Sequence, residues 1–511
     1  MRSGVVVTAY WVVVDTIRKV ILRKSIVKII FLVAVGLGSS FVGFGQNSNK
    51  SKKVIVEDTT SQLVRINKVF ILGNDKTKRY IIMRELRFKE GDYIEKRNLD
   101  EILRLSRNNV YNTNLFHSVD LQKLELDSGS IDIFIKVEER WYVWPSFTLK
   151  PVDRNLVDWW KNYGHSINRV RLGPKLDVYN VGGRKESLRI IGLFGFDKRF
   201  IGQYTIPYLD KGRKHGVTLG GSYIESKKLD YQNIDHIKTY INDTISIVNQ
   251  TNRWVRRGYI EYRFRPSFND YHFFTIDAYS MNISQGLANL NPNYYGNGRT
   301  SQKVVELVYT FVKNRKNNRN YPLTGYYILG QFDKKGIGLF KDLNMFQATI
   351  NLQYYHQVAE NVFFSTSLAG QVSTTKNVPY FNRTEFGEGT YYVRGFERYV
   401  IQGPINFLNR NSLKYRLVDT QFHLSDKVMP LKKFRKIPFR LYPKVFFDLG
   451  YVKNYPNNPM SSFLTNKPIY SMGFGFDIVG LYDVTLRLET SYNSQREFRF
   501  APNFMAEFAL H

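Results

Sequence analysis

A transmembrane β-barrel of sixteen antiparallel strands behind one small N-terminal α/β module is the fold class this sequence predicts. Three observations predict it. The 511-residue chain is 43% hydrophobic and 15% aromatic, yet its mean hydropathy is −0.34. A barrel reconciles these values, because its strands turn apolar side chains to lipid and polar ones to the lumen. A helical membrane protein needs runs of about 18 apolar residues, and nothing after residue 45 contains one. Finally, strand-like segments recur from residue 141 to the end, and the connections between them sort by length.

The first 45 residues read as a leader. Arg23, Lys24 and Lys28 precede the apolar run Ile29–Leu37, and Gly43-Phe-Gly45 follows. A charged segment, an apolar core and small residues make a secretory signal, with cleavage expected between Gly45 and Gln46. The earlier stretch Val5–Val14, closed by Asp15, Arg18 and Lys19, reads as an upstream extension or as part of a long signal. Residues 46–62 read as a polar linker.

Residues 63–139 form the module. Val64–Leu72 has strand character, and Gly73-Asn-Asp breaks it. Helical spacing predicts helices over 77–86 and 97–109, the second with Leu99, Ile102, Leu103 and Leu105 near one face. Residues 119–126 and 131–137 alternate apolar and polar around Asp127-Ser-Gly-Ser130, which predicts a hairpin.

Residues 140–511 supply the barrel. Sixteen segments are expected, the first at 141–149, the twelfth at 410–424, the thirteenth at 436–451 and the fifteenth at 481–492. The long gaps, 150–168, 227–252, 284–300, 373–409 and 452–465, are all odd-numbered. In an antiparallel barrel, odd and even gaps lie on opposite sides of the membrane, with the longer loops outside. Alternation is clearest near the end. Met472, Phe474, Phe476 and Ile478 oppose Ser471, Gly473, Gly475 and Asp477; Tyr482, Val484, Leu486 and Leu488 oppose Asp483, Thr485, Arg487 and Glu489.

The formal charge of +30 admits nucleic acid, anionic lipid or lipopolysaccharide as partners. The basic residues cluster in short polar stretches such as Lys211-Gly-Arg-Lys214, which read as solvated turns, and the leader disfavours nucleic acid. With no cysteine, disulfides, thiolate metal sites and thiol catalysis are excluded. No Gly-x-Ser-x-Gly elbow or His-Glu-x-x-His motif is present. The expectation is a non-enzyme with no catalytic residues, no cofactor and no metal.

The order Ile71-Leu-Gly-Asn74, Gly91-Asp-Tyr93, then Leu115-Phe116 before the hairpin resembles a POTRA domain. Tyr391-Tyr-Val-Arg-Gly-Phe-Glu397, in the long gap after the eleventh segment, resembles the Val-Arg-Gly-Phe/Tyr loop motif of the BamA/TamA-type outer-membrane superfamily. The resemblance implies that Val393, Arg394, Gly395 and Phe396 fold back into the lumen, where the arginine meets acidic residues on late strands. Phe446-Phe-Asp-Leu-Gly450 matches the family's Phe-x-Asp-x-Gly pattern, and alternation places Asp448 and Gly450 on the lumen face. A bidentate guanidinium–carboxylate contact favours arginine over lysine there. The pair reads either as a plug that stiffens the barrel or as a latch that a transport cycle releases. Arg319-Asn-Tyr-Pro322-Leu-Thr-Gly325 resembles the family's turn pattern.

Pro145 lies in the first segment, which closes on the sixteenth, and proline offers that seam no N–H. Phe504 and Phe508 stand near the end as a terminal recognition signal. The resemblance implies an outer-membrane protein with a periplasmic POTRA domain that assists insertion or translocation of proteins, or of lipids. Implied partners are outer-membrane lipids, lipopolysaccharide, unfolded clients on the POTRA sheet edge and accessory lipoproteins. The alternative is a passive channel or a structural protein of the outer membrane.

Overall fold

The computed structural model describes residues 63–126, 129–151, 170–210, 212–241, 250–374, 376, 378–387, 391–425, 435–456 and 463–505. The expected signal and linker, Phe508 and the side chain of Phe504 lie outside the described residues.

The N-terminal module is a four-stranded sheet covered by two helices. Its strands are β1 (Leu63–Leu72), β2 (Tyr93–Glu95), β3 (Phe116–Glu125) and β4 (Ser130–Glu139), in the order β2-β1-β4-β3 with β1 and β4 parallel. Along β4, Ile131, Ile133, Ile135 and Val137 all point into the core. A strand alternates its side chains, so every second residue pays one face. Helix α2 (Lys96–Tyr111) answers with Leu99, Leu103 and Val110, spaced to one side. Helix α1 (Arg79–Met83) buries Ile81 and Ile82.

The expected helix over 77–86 is thus shorter than predicted. Its end tightens, Glu85 N–H bonding Ile82 O at 2.9 Å and Leu86 N–H bonding Met83 O at 3.3 Å. The short edge strand β2 follows the Gly91 turn and was not expected.

Sixteen crossings make a closed barrel among the described residues. They are β5 (Val143–Pro151), β6 (Val170–Val181), β7 (Glu186–Gly195), β8 (Lys198–Ile206) and β9 (His215–Ser226). Next come β10 (Arg253–Phe264), β11 (Asp270–Ile283), β12 (Ser301–Asn314), β13 (Gly325–Lys335), β14 (Met345–Ala359) and β15 (Val362–Ser373). The last are β16 (Ile405–Tyr415 and Val418–His423), β17 (Lys436–Lys453), β18 (Pro468–Val479), β19 (Thr485–Asn493) and β20 (Phe498–Met505). Both pieces of β16 pair with β17, so they count as one crossing. Successive strands pair antiparallel, and β20 lies beside β5 to close the cylinder.

The two faces differ as a membrane barrel requires. On β18, Met472 and Phe474 are 53% and 55% exposed outward, while Ser471 and Asp477 are fully buried inward. Inward charges pair across neighbouring strands, as in Arg189–Asp177 and Arg257–Asp277. Outside, His215, Tyr262, Phe264, His272 and Tyr309 form a run of ring contacts near one rim, the composition of an interfacial girdle. No helix among the described residues is long and apolar enough to cross a membrane; the strands do so.

At one end the long connections pack into a cap. Asn291 Nδ2 donates to Tyr231 O at 2.6 Å, Tyr380 Oη to Asp230 at 2.8 Å, and Leu464 N–H to His236 Nε2 at 3.0 Å. A short helix, Gln285–Leu290, sits in this cap with Ser284 as its N-cap, where only irregular loop was expected. At the other end, short turns meet the N-terminal module. Glu85 and Arg265 form two 2.7 Å bonds while both are buried. Lys78 N–H bonds Gly183 O at 3.0 Å, and Tyr111 Oη bonds Asp483 at 3.0 Å.

Two strand boundaries differ from expectation. Residues 405–409 belong to the strand expected to start at 410, because Asn406 and Leu408 both turn inward, so no polar–apolar alternation marks them. Residues 481–483 form a 3-10 turn with Asp483 at φ +60°. The alternation expected from residue 482 therefore starts at Thr485.

Candidate functional site

The loop between β15 and β16 turns back into the barrel at Val393-Arg-Gly-Phe396. Val393 and Phe396 are its apolar anchors, fully enclosed with Phe386, Leu408, Val452 and Ile469. Phe396 N–H bonds Val393 O at 2.9 Å, which makes the turn. Gly395 takes φ +87°, and a Cβ there would sit 2.7 Å from Ser491 Oγ. The left-handed backbone and the close wall both demand glycine. Its carbonyl accepts from Asn493 Nδ2 at 2.8 Å.

This turn aims Arg394 at β17. Arg394 donates from Nε to Asp448 Oδ2 at 2.8 Å and from Nη2 to Oδ1 at 2.5 Å. Its backbone N–H adds a third bond to the same carboxylate at 3.1 Å. Nη1 reaches Glu489 on β19 and Ser412 on β16, each at 3.2 Å, and Nη2 reaches Asn411 O at 3.2 Å. The guanidinium lies 3.8 Å from the centre of the Phe446 ring. Every donor of the planar fork is thereby used, an arrangement a lysine ammonium cannot reproduce. Asp448 has no exposed surface. A buried ion pair keeps its charges only when such surrounding bonds replace water.

Glycines make room for the loop. A Cβ on Gly450 would fall 2.7 Å from Val393 Cγ2, and one on Gly473 would fall 2.5 Å from Phe446 Cζ.

The network runs on past the predicted pair. Lys444 on β17 bridges Glu489, at 2.8 Å, to Asp477 on β18. Asp477 accepts from Tyr321 Oη at 2.9 Å. Tyr321 belongs to the turn 315–324 between β12 and β13, which enters the bore from the module's side. Asp483 then ties Arg440, Asn318 and Tyr111 together. Tyr321 N–H donates to Asn318 Oδ1 at 3.3 Å, so a line of polar contacts leads from the inserted loop to the N-terminal module.

Of the residues singled out by sequence, Val393, Arg394, Gly395, Phe396, Asp448 and Gly450 converge on one cluster. Arg319, Pro322 and Gly325 do not join it. Arg319 donates to Tyr271 Oη at 2.8 Å, and Gly325, at φ +102°, packs on Arg315 O. Arg319 and Pro322 instead line the opposite side of a lumen cavity of about 430 Å³ that Arg394 also lines. Pro145 sits in β5, opposite Leu176 of β6, away from both groups. Sequence reading missed the part played by Glu489, Lys444, Asp477 and Tyr321. The first three were in lumen phase, but phase does not say which residue reaches which.

Known protein families match both parts of the chain. Residues 64–140 match the POTRA family, described as surface antigen variable number repeat, and residues 180–492 match the Omp85 superfamily domain. The chain is 24% identical over 373 residues to the outer membrane protein assembly factor BamA of Nitratidesulfovibrio vulgaris, covering 70% of this chain and 42% of that protein. It therefore spans less than half the length of that relative. Among solved structures, CdiB from Escherichia coli matches with TM-score 0.50 at 13% identity, covering 86% of this chain and 74% of that one. BamA from Haemophilus ducreyi lacking POTRA domains 1–3 matches with TM-score 0.46 at 16% identity, covering 86% and 83%. The chain belongs to the Omp85 superfamily, as an outer-membrane β-barrel that carries a POTRA domain on its periplasmic side.

Proposed function

We propose that this protein assists insertion or translocation of proteins at the outer membrane, with Arg394 as the latch of an inserted loop. The observation that carries the reading is the buried Arg394–Asp448–Glu489 cluster, which holds a long external loop inside the bore. A passive channel needs an open bore, so such a tethered loop favours a gated device. Catalytic residues and cofactors have no part in this reading, and lipids remain the second class of cargo it admits.

Clients would approach through the POTRA sheet. Its outer strand β3 has only β4 as a neighbour, and an open edge takes an extended segment through backbone bonds that demand little of sequence. They would then meet the seam between β5 and β20. Pro145 and Pro151 lie on one side of that seam and Pro502 on the other. Prolines supply no N–H to a ladder, which supports a seam that opens at low cost. Outer-membrane lipids and lipopolysaccharide would surround the barrel, and accessory lipoproteins would dock on the periplasmic side.

Depletion of the protein followed by quantification of the outer-membrane proteome tests the proposal. Other barrel proteins are expected to fall in abundance while periplasmic proteins do not. An unchanged set of barrel proteins would remove the assembly role.

A further inference from the structure

The lipid-facing wall changes character toward the cap end of β9 to β12, where its outward side chains follow the register in rows. Leu219, Ile260, Ile276 and Leu307 are partners across the four strands, and all four are exposed. Two residues nearer the cap, Gly258 and Ala278 leave a strip without bulk. Tyr223, Arg256, Ser280 and Lys303 form the next row. Arg257 and Asp277 point inward, where they pair, so alternation turns Arg256 out.

Depth decides what that row meets. From Phe264, in the girdle at the POTRA end, β10 rises about 20 Å to Arg256 at a strand tilt of about 40°. The apolar band of such a barrel is about 25 Å tall, so the row lies at the headgroups of the outer leaflet. A cation on a lipid face is costly at the midplane and tolerated near an interface. Arg256 and Lys303 are exposed, and among the described residues no carboxylate pairs with either. Glu225 is held by Lys198 at 3.2 Å, and Asp342 by Arg299 at 3.1 Å. The loop 336–344 supplies a rim. Lys303 Nζ stands 6.0 Å from the centre of the Phe340 ring, and Ile337 and Leu339 are exposed beside it. Arg256, Gly258, Ala278, Ser280, Lys303 and Phe340 line one depression of about 390 Å³.

We propose that this depression seats a phosphorylated glycolipid of the outer leaflet, of the lipopolysaccharide type. The headgroup phosphates lie between Arg256 and Lys303, and an acyl chain runs over Gly258 and Ala278 onto Ile260 and Ile276. The two cations stand on strands about 10 Å apart, a separation that suits a headgroup with two phosphates. Ser280, between them, offers a hydroxyl, and Phe340 closes one side. The site rests on the reading that lipopolysaccharide surrounds the barrel, and names where one molecule is held. It does not depend on what the barrel transports.

Native mass spectrometry of the full-length protein in a neutral detergent tests it, with bisphosphorylated lipid A as the titrant. One lipid should be retained at concentrations where dephosphorylated lipid A is not. The double variant Arg256→Gln/Lys303→Gln should weaken retention on the order of tenfold, the scale of two basic side chains at an anionic surface. Ala278→Leu keeps both charges but fills the strip, and should weaken retention severalfold. Lys214→Gln, just before β9 at its periplasmic end, should leave it unchanged. Equal retention of the two lipids would overturn the proposal. So would wild-type affinity in either site variant, or an equal loss in Lys214→Gln. The proteome measurement stands apart from these outcomes, so the lipid site and the assembly role can fail separately.

Discussion

Replacing Arg394 with alanine is expected to release the loop around 391–400 from the lumen wall. The substitution leaves the buried Asp448 with only the more distant Arg410, at 3.8 Å, beside a Glu489 that has lost one of its two partners. Removing one member of a buried ion pair costs about 3–5 kcal/mol, and loop docking should weaken by that order. Protease added to intact cells reads the effect, because a released loop becomes cleavable from outside. Wild-type protein should resist cleavage, and the Arg394→Ala protein should be cut within the loop. Arg394→Lys should fall between, since it keeps the charge but loses the fork that spans both Asp448 oxygens. Equal resistance in all three proteins would mean that Val393 and Phe396 hold the loop without help.

The second large effect is expected at the other end of the bore. Glu85→Ala leaves Arg265 buried against Tyr271 with no carboxylate, again a loss of about 3–5 kcal/mol. This loss falls on the junction between POTRA domain and barrel, because the pair joins α1's end to the turn after β10. Hydrogen exchange at residues 76–86 and 180–185 should rise together, with the barrel strands unaffected.

The same pair adds an acid response to the junction. Burial pushes the Glu85 carboxyl upward, but the charge and hydrogen bonds of Arg265 outweigh it and hold the group at about 2, against an ordinary 4.5. A carboxylate held below its unfolded value contributes stability that is complete above the unfolded value and lost as pH falls through the folded one. The contribution of this pair to docking should therefore be complete above pH 4.5, decline from there and be lost near pH 2.

Some of this architecture was legible in the residues and some was not, for physical reasons. Strands β18 and β19 announce themselves because one face meets lipid and the other meets charge. Asp448 could be placed in the lumen by counting twos from Lys444, and the Arg394 motif supplied a partner. The start of β16 left no trace, because the lumen wall is apolar where Leu408 packs on Val393. Glu489 was in phase but lies 95 residues from Arg394, and the stagger of a closed barrel, not local sequence, sets which late strand it meets. Glu85 and Arg265 are 180 residues apart. One looks like any helix residue and the other like any turn residue until the POTRA domain is docked. Tyr321 was hidden inside a turn valued for its proline and glycine.

Conductance of the purified protein in a planar bilayer bears most directly on the plugged bore. Wild-type protein is expected to stay quiet, with brief small openings at most, and Arg394→Ala to open a larger and longer-lived pore. A wild-type current as large and steady as that of an open porin would contradict a lumen closed by its own loop.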